Sequence, residues 1–249
     1  MNAGFAATQL LLGLGMVWRP TVKLALGASI GWALAVWWLG EGLGSVLTGG
    51  ASPVNGAPGA ALLYALLAIL LWPIANDRPA PFVAGRTVGT LAARGIWLVV
   101  WGSLAGLAMQ PAARAPQAIS GMISDMAPGE PGWLAWIVSH AAGALSHRGL
   151  LASVLLAVAL AVVAAAACLP GGPPRAAIVL AIVIAAVIWV AEGLGGILTG
   201  SGTDPNSGPL LALFALAYWP AAHRLPRSPC KLNTDETNMT LPVRQPATR

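Results

Sequence analysis

Glu41 and Glu192 are the residues of this 249-residue chain best placed to do chemistry, because each closes an apolar run inside the same phrase. GEGLGSVLTGGASPVN at 40–55 returns as AEGLGGILTGSGTDPN at 191–206. With the glutamates superimposed, Gly42/Gly193, Leu43/Leu194, Gly44/Gly195, Leu47/Leu198, Thr48/Thr199, Gly49/Gly200 and Asn55/Asn206 match without a gap. A carboxylate on an apolar helix is costly unless it is hydrated, paired or protonated, so acids at membrane depth usually face an interior or a cavity. Hydroxyl, amide and carboxylate groups beside glycine, which lets backbone come close, make a convergent polar cluster. The expected ligand-binding set is Glu41, Thr48, Asn55, Glu192, Thr199, Asp204 and Asn206. Should the two acids meet, they could share a proton or a bound cation; should each bond to nearby backbone amides at the water interface, the phrase is a folding motif. Thr203 to Gly208 also reads as an Asx or type I turn that caps the segment after it.

The elements that must position these groups belong to a bilayer. A content of 57% hydrophobic and 8% charged residues, with a mean hydropathy of +0.75, cannot clothe a soluble surface. Seven candidate spans follow, near 3–18, 22–43, 59–76, 91–109, 150–169, 176–197 and 208–222, and helices are favoured over a barrel. Arg19-Pro20, Trp72-Pro73 and the run Leu169-Pro170-Gly171-Gly172-Pro173-Pro174 break them apart. With no basic segment ahead of it and no convincing cleavage site, the first run reads as a retained span instead of a signal peptide.

Charge sets the orientation. With the amino terminus outside, eleven of the thirteen basic residues face the cytoplasm, and only Arg114 and Arg148 lie outside. Glu41, Asp125, Glu130, Glu192 and Asp204 then fall on the outer side. The net charge of +5 describes the inner rim and calls for no nucleic-acid partner. The expected architecture is all-α integral membrane, one transmembrane domain over 1–222. Repeat A (3–73) and repeat B (150–220) form a 3+1+3 parallel internal repeat about a central span, with an outer loop and helix completing 91–149 and a mobile cytoplasmic tail over 223–249. From Asn to Trp the second copy is four residues shorter than the first. The pairs Gly27/Gly31, Gly40/Gly44 and Gly102/Gly106 form GxxxG steps that favour close helix packing.

In the outer segment, Trp133, Trp136, His140 and His147 fall near one helical face, as expected of a helix lying on headgroups. His140, His147, Met122 and Met126 are the weak metal candidates, since thioethers and imidazoles suit copper, but no liganding spacing specifies a geometry. Cys168 and Cys230 both fall toward the cytoplasm, where no disulfide is expected. No nucleophile elbow, HExxH or Walker A sequence occurs, and no cofactor is evident beyond a cation near Glu41 and Glu192.

The doubled EGLG…TG…N phrase, the DPNSGP turn and the APGEPGWL loop resemble those of uncharacterised multi-pass integral membrane proteins of actinobacteria, over most of 20–222. Eleven Arg against two Lys, with abundant Ala, Gly and Pro, agree with a high-GC coding sequence. The resemblance brings neither ligand nor catalytic residue. The leading expectation is a protein of the bacterial cytoplasmic membrane that binds or transports a small solute or cation through an outward pocket. Its rival is a non-transporting subunit or assembly factor with a membrane-protein partner or a second copy, and a membrane-embedded enzyme or copper-handling protein comes third.

Overall fold

The computed structural model describes residues 2–74, 80–200 and 206–220. Its helices are α1 (Asn2–Val17), α2 (Val22–Leu39), α3 (Ala60–Leu70), α4 (Val83–Val88), α5 (Thr90–Ala108), α6 (Pro111–Arg114), α7 (Ala118–Ser124), α8 (Gly132–Leu145), α9 (Gly149–Ala165), α10 (Arg175–Ala191) and α11 (Ser207–Leu216). Four short 3-10 segments join them, and an isolated antiparallel bridge between Phe82 and Pro220 is the sole β pairing among the described residues. Among the described residues three helices are long and apolar enough to cross a membrane: α2, α5, and α9 with the 3-10 turn that carries it to Cys168. The chain is thus all-helical and compatible with a membrane protein.

The remaining apolar helices are shorter. Two of them, α3 with 11 residues and α11 with 10, rise about 17 Å and 15 Å, roughly half of a hydrocarbon core. Where the sequence suggested spans over 59–76 and 208–222, the structure has short helices packed against each other, α3 lying also on α2 and α11 also on α10. Leu63, Leu70, Leu211 and Phe214 are fully buried along them. That burial is what allows irregular backbone at their ends, because its polar groups find partners in protein and not in lipid.

The core gathers where α5, α9 and α11 meet. Trp97 donates its indole N–H to the Val163 carbonyl at 2.8 Å, and the Tyr218 hydroxyl donates to the Ala93 carbonyl at 2.7 Å. The Trp97 ring lies 4.8 Å from that of Tyr218 and 6.0 Å from that of Phe214, centroid to centroid, with Trp101 5.6 Å away. Such aromatic contacts add about 0.5–1.5 kcal/mol each beyond the area they bury. The α9–α10 turn is fastened to the same body by Arg94, whose guanidinium donates to the Leu169 carbonyl.

Helices α6, α7 and α8 make up the segment between α5 and α9. Leu134, Val138 and Ala142, at i, i+4 and i+8 of α8, bury against Ile119 and Ile123 of α7. Trp133, Trp136 and His140 are exposed on its other side. His147 does not share that face. The helix ends at Leu145, and His147 has a positive φ of 61° in the turn that follows. The glycine steps are corrected as well: a side-chain carbon built on Gly31, Gly102 or Gly106 would meet nothing within 4 Å, and one on Gly27 would meet only Trp72 at 3.7 Å. The close helix contacts expected at those steps are not made.

Candidate functional site

The doubled phrase folds into a local structure that is the same in both copies. Where α2 stops, Gly42, Leu43, Gly44 and Ser45 take φ values of 54°, 60°, 64° and 57°. After α10, Gly193, Leu194, Gly195 and Gly196 take 62°, 53°, 68° and 66°. Each run is one turn of left-handed helix, a conformation that costs an L-residue roughly 1–2 kcal/mol and glycine almost nothing. The glycines are therefore required for handedness, and at Gly44 also for space, because a side-chain carbon there would run into the Pro58 carbonyl. The Gly44 amide closes the first turn on the Glu41 carbonyl at 2.9 Å, and the Gly195 amide closes the second on the Glu192 carbonyl at 3.1 Å.

Reversing hand at this point swings the chain so that each carboxylate meets the amino-terminal end of the next short helix. Glu41 Oε1 accepts from the Ala61 amide at 3.0 Å, in the first turn of α3. Gly59, the residue before α3, has no side chain to cap it, and a carbon there would strike the Glu41 carboxylate and the Trp37 indole. Trp37 in turn donates to the Pro58 carbonyl at 2.7 Å. In the second copy Glu192 Oε1 accepts from the Ser207 hydroxyl at 2.6 Å, at the first residue of α11, which Asn206 caps by accepting from the Ser207 amide at 2.9 Å. A carboxylate at a helix amino terminus is favoured by the orphan amides and by the dipole. At 2.6 Å the Ser207 bond falls in the range of charge-assisted hydroxyl–carboxylate contacts.

The copies differ in exposure. Glu192 is 4% exposed and sealed, whereas Glu41 is half-buried. The loop that follows Glu41 is also four residues longer. Counting back from Trp72-Pro73 and Trp219-Pro220 sets Gly59 over Asn206, and the structure follows this register, each residue preceding its short helix. Asn55 is therefore not the counterpart of Asn206, as the ungapped match suggested. It belongs to the inserted 3-10 turn Pro53–Asn55, where its side chain accepts from the Ser52 amide at 2.9 Å and donates to the Gly50 carbonyl at 3.0 Å. The longer loop reaches across to repeat B. A carbon on Gly56 would stand 3.1 Å from Asn206 Oδ1 and 3.8 Å from Glu192 Oε1.

This crossing brings Glu41, Asn55 and Asn206 together. With Ser45 and the backbone of Gly56 and Gly59 they line a polar cavity of about 200 Å³. Glu192 lies directly behind its wall. Thr48 and Thr199 stand elsewhere, exposed on the turns beyond, where they donate to the Ser45 and Gly196 carbonyls at 2.9 and 3.0 Å. Asp204 lies outside the described residues, as do the rest of the turn before Asn206 and the tail with Cys230.

Three participants were not singled out for the site from sequence. Ser207 stands where the first copy has Ala60, a difference visible only once the gap is placed correctly. Trp37 has Ile188 as its counterpart. Glu130, from the loop before α8, lays its carboxylate over the left-handed turn of repeat B, its Oε1 3.0 Å from where a side-chain carbon on Gly193 would be. Its Oε2 is buried without a hydrogen-bond partner among the described residues. The segment between α5 and α9 thus covers both loops: α7 packs on the 53–55 turn and α8 on the 193–196 turn.

Among the described residues no three His, Cys, Asp or Glu side chains gather in a way that could hold a metal ion. Of the metal candidates, His140 is exposed with Nδ1 2.8 Å from the Trp136 carbonyl and its ring 4.1 Å from that of Trp136. Met122 packs on the apolar cluster under α8, and Met126 is exposed.

What fold and site define is a class, an apolar helical chain with a polar cavity assembled from duplicated loops. Compared with protein-family models, with curated proteins and with solved structures, the chain matches none.

Proposed function

We propose that the chain is a 3+1+3 repeat protein of a bacterial cytoplasmic membrane, amino terminus outside, in which the short helices α3 and α11 are the helical part of the third and seventh crossings, and that it binds a small solute or cation in the outward cavity at Glu41 and passes it on where it transports. One observation carries this reading: Glu41 and Asn55 from repeat A and Asn206 from repeat B converge on one polar cavity of about 200 Å³. A carboxylate and two amides offer acceptors to a cation and both donors and acceptors to a neutral polar solute. The volume suits an ion with its water or a molecule of a few heavy atoms. Thermal stability in nanodiscs, screened against monovalent and divalent cations and small polar solutes, tests it. A ligand that stabilises the wild type but neither Glu41→Gln nor Asn206→Ala supports the site; stabilisation that survives both substitutions removes it.

The rival, a subunit or assembly factor that moves nothing, draws support from the dry aromatic packing of Trp97, Trp101, Phe214 and Tyr218. A ligand bound in the outer cavity but never carried across proteoliposomes would decide for it.

A further inference from the structure

Glu41 faces two cavities. Beyond the polar one, a second of about 470 Å³ lies between α1, α2 and α3, with Glu41 in its wall beside Gln9, Met16, Ser29, Trp32 and Tyr64. The other lining side chains are aliphatic or glycine, and no Lys or Arg is among them. Apolar walls, a few polar groups and a volume within the usual 300–1,000 Å³ make this the form of a small-molecule site.

Repeat B shows that the fold does not demand such a space. In the register fixed by the Trp-Pro ends, Tyr64, Leu67 and Leu71 of the cavity correspond to Leu211, Phe214 and Tyr218, and all three of these are fully buried. Phe214 and Tyr218 pack on Trp97 of α5. In the glutamate register, Ala33 corresponds to the bulkier and buried Ile184, and Ser29 to Leu180, which is exposed. Repeat B closes this face of α11 against α5 and buries its acid; repeat A leaves the corresponding face of α3 open toward α1 and α2, with Glu41 in the wall.

We propose that the cavity between α1, α2 and α3 binds an amphiphilic monocation, an alkyl or aryl amine or a quaternary ammonium, with its head at Glu41 and its body against Trp32, Met16 and the aliphatic wall. The carboxylate is the only formal charge among the lining residues and selects a cation. The faces of Trp32 and Tyr64 favour an organic ammonium over a hydrated metal ion. Met16 adapts to varied apolar shapes. The site shares Glu41 with the polar cavity but needs neither Asn55 nor Asn206, so the two readings can fail separately.

The test is equilibrium binding of radiolabelled benzyldimethyloctylammonium to the full chain in zwitterionic nanodiscs, empty discs subtracted, beside its neutral carbon isostere. Saturable binding at one site per chain is expected, weakened about tenfold or more for the isostere and for Glu41→Gln. Ala33→Phe and Ser29→Leu, which fill the cavity, should abolish it, while Asn206→Ala and Glu192→Gln should leave it within about twofold. Equal affinity for the isostere would mean a greasy slot for lipid chains and would overturn the proposal, as would the absence of saturable binding. Loss in Asn206→Ala alone would place the cation in the polar cavity instead. Should the substituted chains fail to fold, the comparison of ammonium with isostere on the wild type still decides.

Discussion

Ser207 and Glu192 form a hydroxyl–carboxylate pair at 2.6 Å, both side chains buried, where α10 hands over to α11. Removing one partner from such a pair leaves the other desolvated and short of a bond. Ser207→Ala should therefore cost about 1–3 kcal/mol, read from unfolding in mixed micelles. Ala60, its counterpart, has no hydroxyl to lose, and Ala60→Ser should bring no matching gain. Unchanged stability in Ser207→Ala would mean that Glu192 is held by other contacts.

The left-handed turns predict changes of opposite sign at equivalent positions. Ser45 is exposed with a φ of 57°, and its counterpart Gly196 has a φ of 66°. Ser45→Gly should stabilise the chain and Gly196→Ser destabilise it, each by about 1 kcal/mol. Gly44→Ala should cost more than either, since it adds contact with the Pro58 carbonyl to the backbone penalty. Two changes of the same sign would show that the turns are not left-handed in solution.

Trp97 should dominate the stability of the core. Trp97→Ala empties a fully buried site and removes the indole hydrogen bond to the Val163 carbonyl, at a cost of about 3–5 kcal/mol. Tyr218→Phe removes only the hydrogen bond to Ala93, for about 1 kcal/mol. Equal losses would mean that hydrogen bonding, not packing, holds α5 to α11.

The proposed orientation is tested by single cysteines in a background without Cys168 and Cys230. Thr48, Gln117 and Thr199 are all exposed, and cysteines placed there should react with an impermeant reagent added to intact cells. Native Cys168, exposed and free, restored alone, should react only after permeabilisation. Labelling of Cys168 from outside would reverse the topology.

Much of the helical plan was legible in the sequence because its breaks are chemical. Arg19-Pro20 separates α1 from α2, and Pro174 stands directly before α10. What escaped was the content of the breaks. A reading that weighs Leu43 and Ser45 as L-residues counts against a left-handed turn, and only tertiary contacts such as that of Gly44 with Pro58 override the penalty. Without that turn the glutamates point along their helices, and their bonds to Ala61 and Ser207 cannot be foreseen. Asn55 was misplaced because one identical residue outweighed a gap whose position only the start of α3 reveals. The cavity at Glu41, Asn55 and Asn206 was legible as a set of polar groups, but Thr48 and Thr199 share the phrase without sharing the cavity. Periodicity carried His147 onto the face of α8, but it stands two residues past the helix end with a positive φ.

The loop that crosses from repeat A sets an order of assembly. Val54 is buried in one cluster with Ile119, Ile123, Leu134 and Val138, with Val190 and Leu194 against it. Its last neighbours leave the ribosome more than a hundred residues after it does, a delay on the order of ten seconds at ordinary rates of synthesis. Throughout that interval repeat A carries a loop whose Ser52, Val54 and Ala57 have no finished surface to cover them. The first half of this duplication cannot mature before the second has arrived, and a quality-control protease that meets the nascent chain should cut first between 50 and 59.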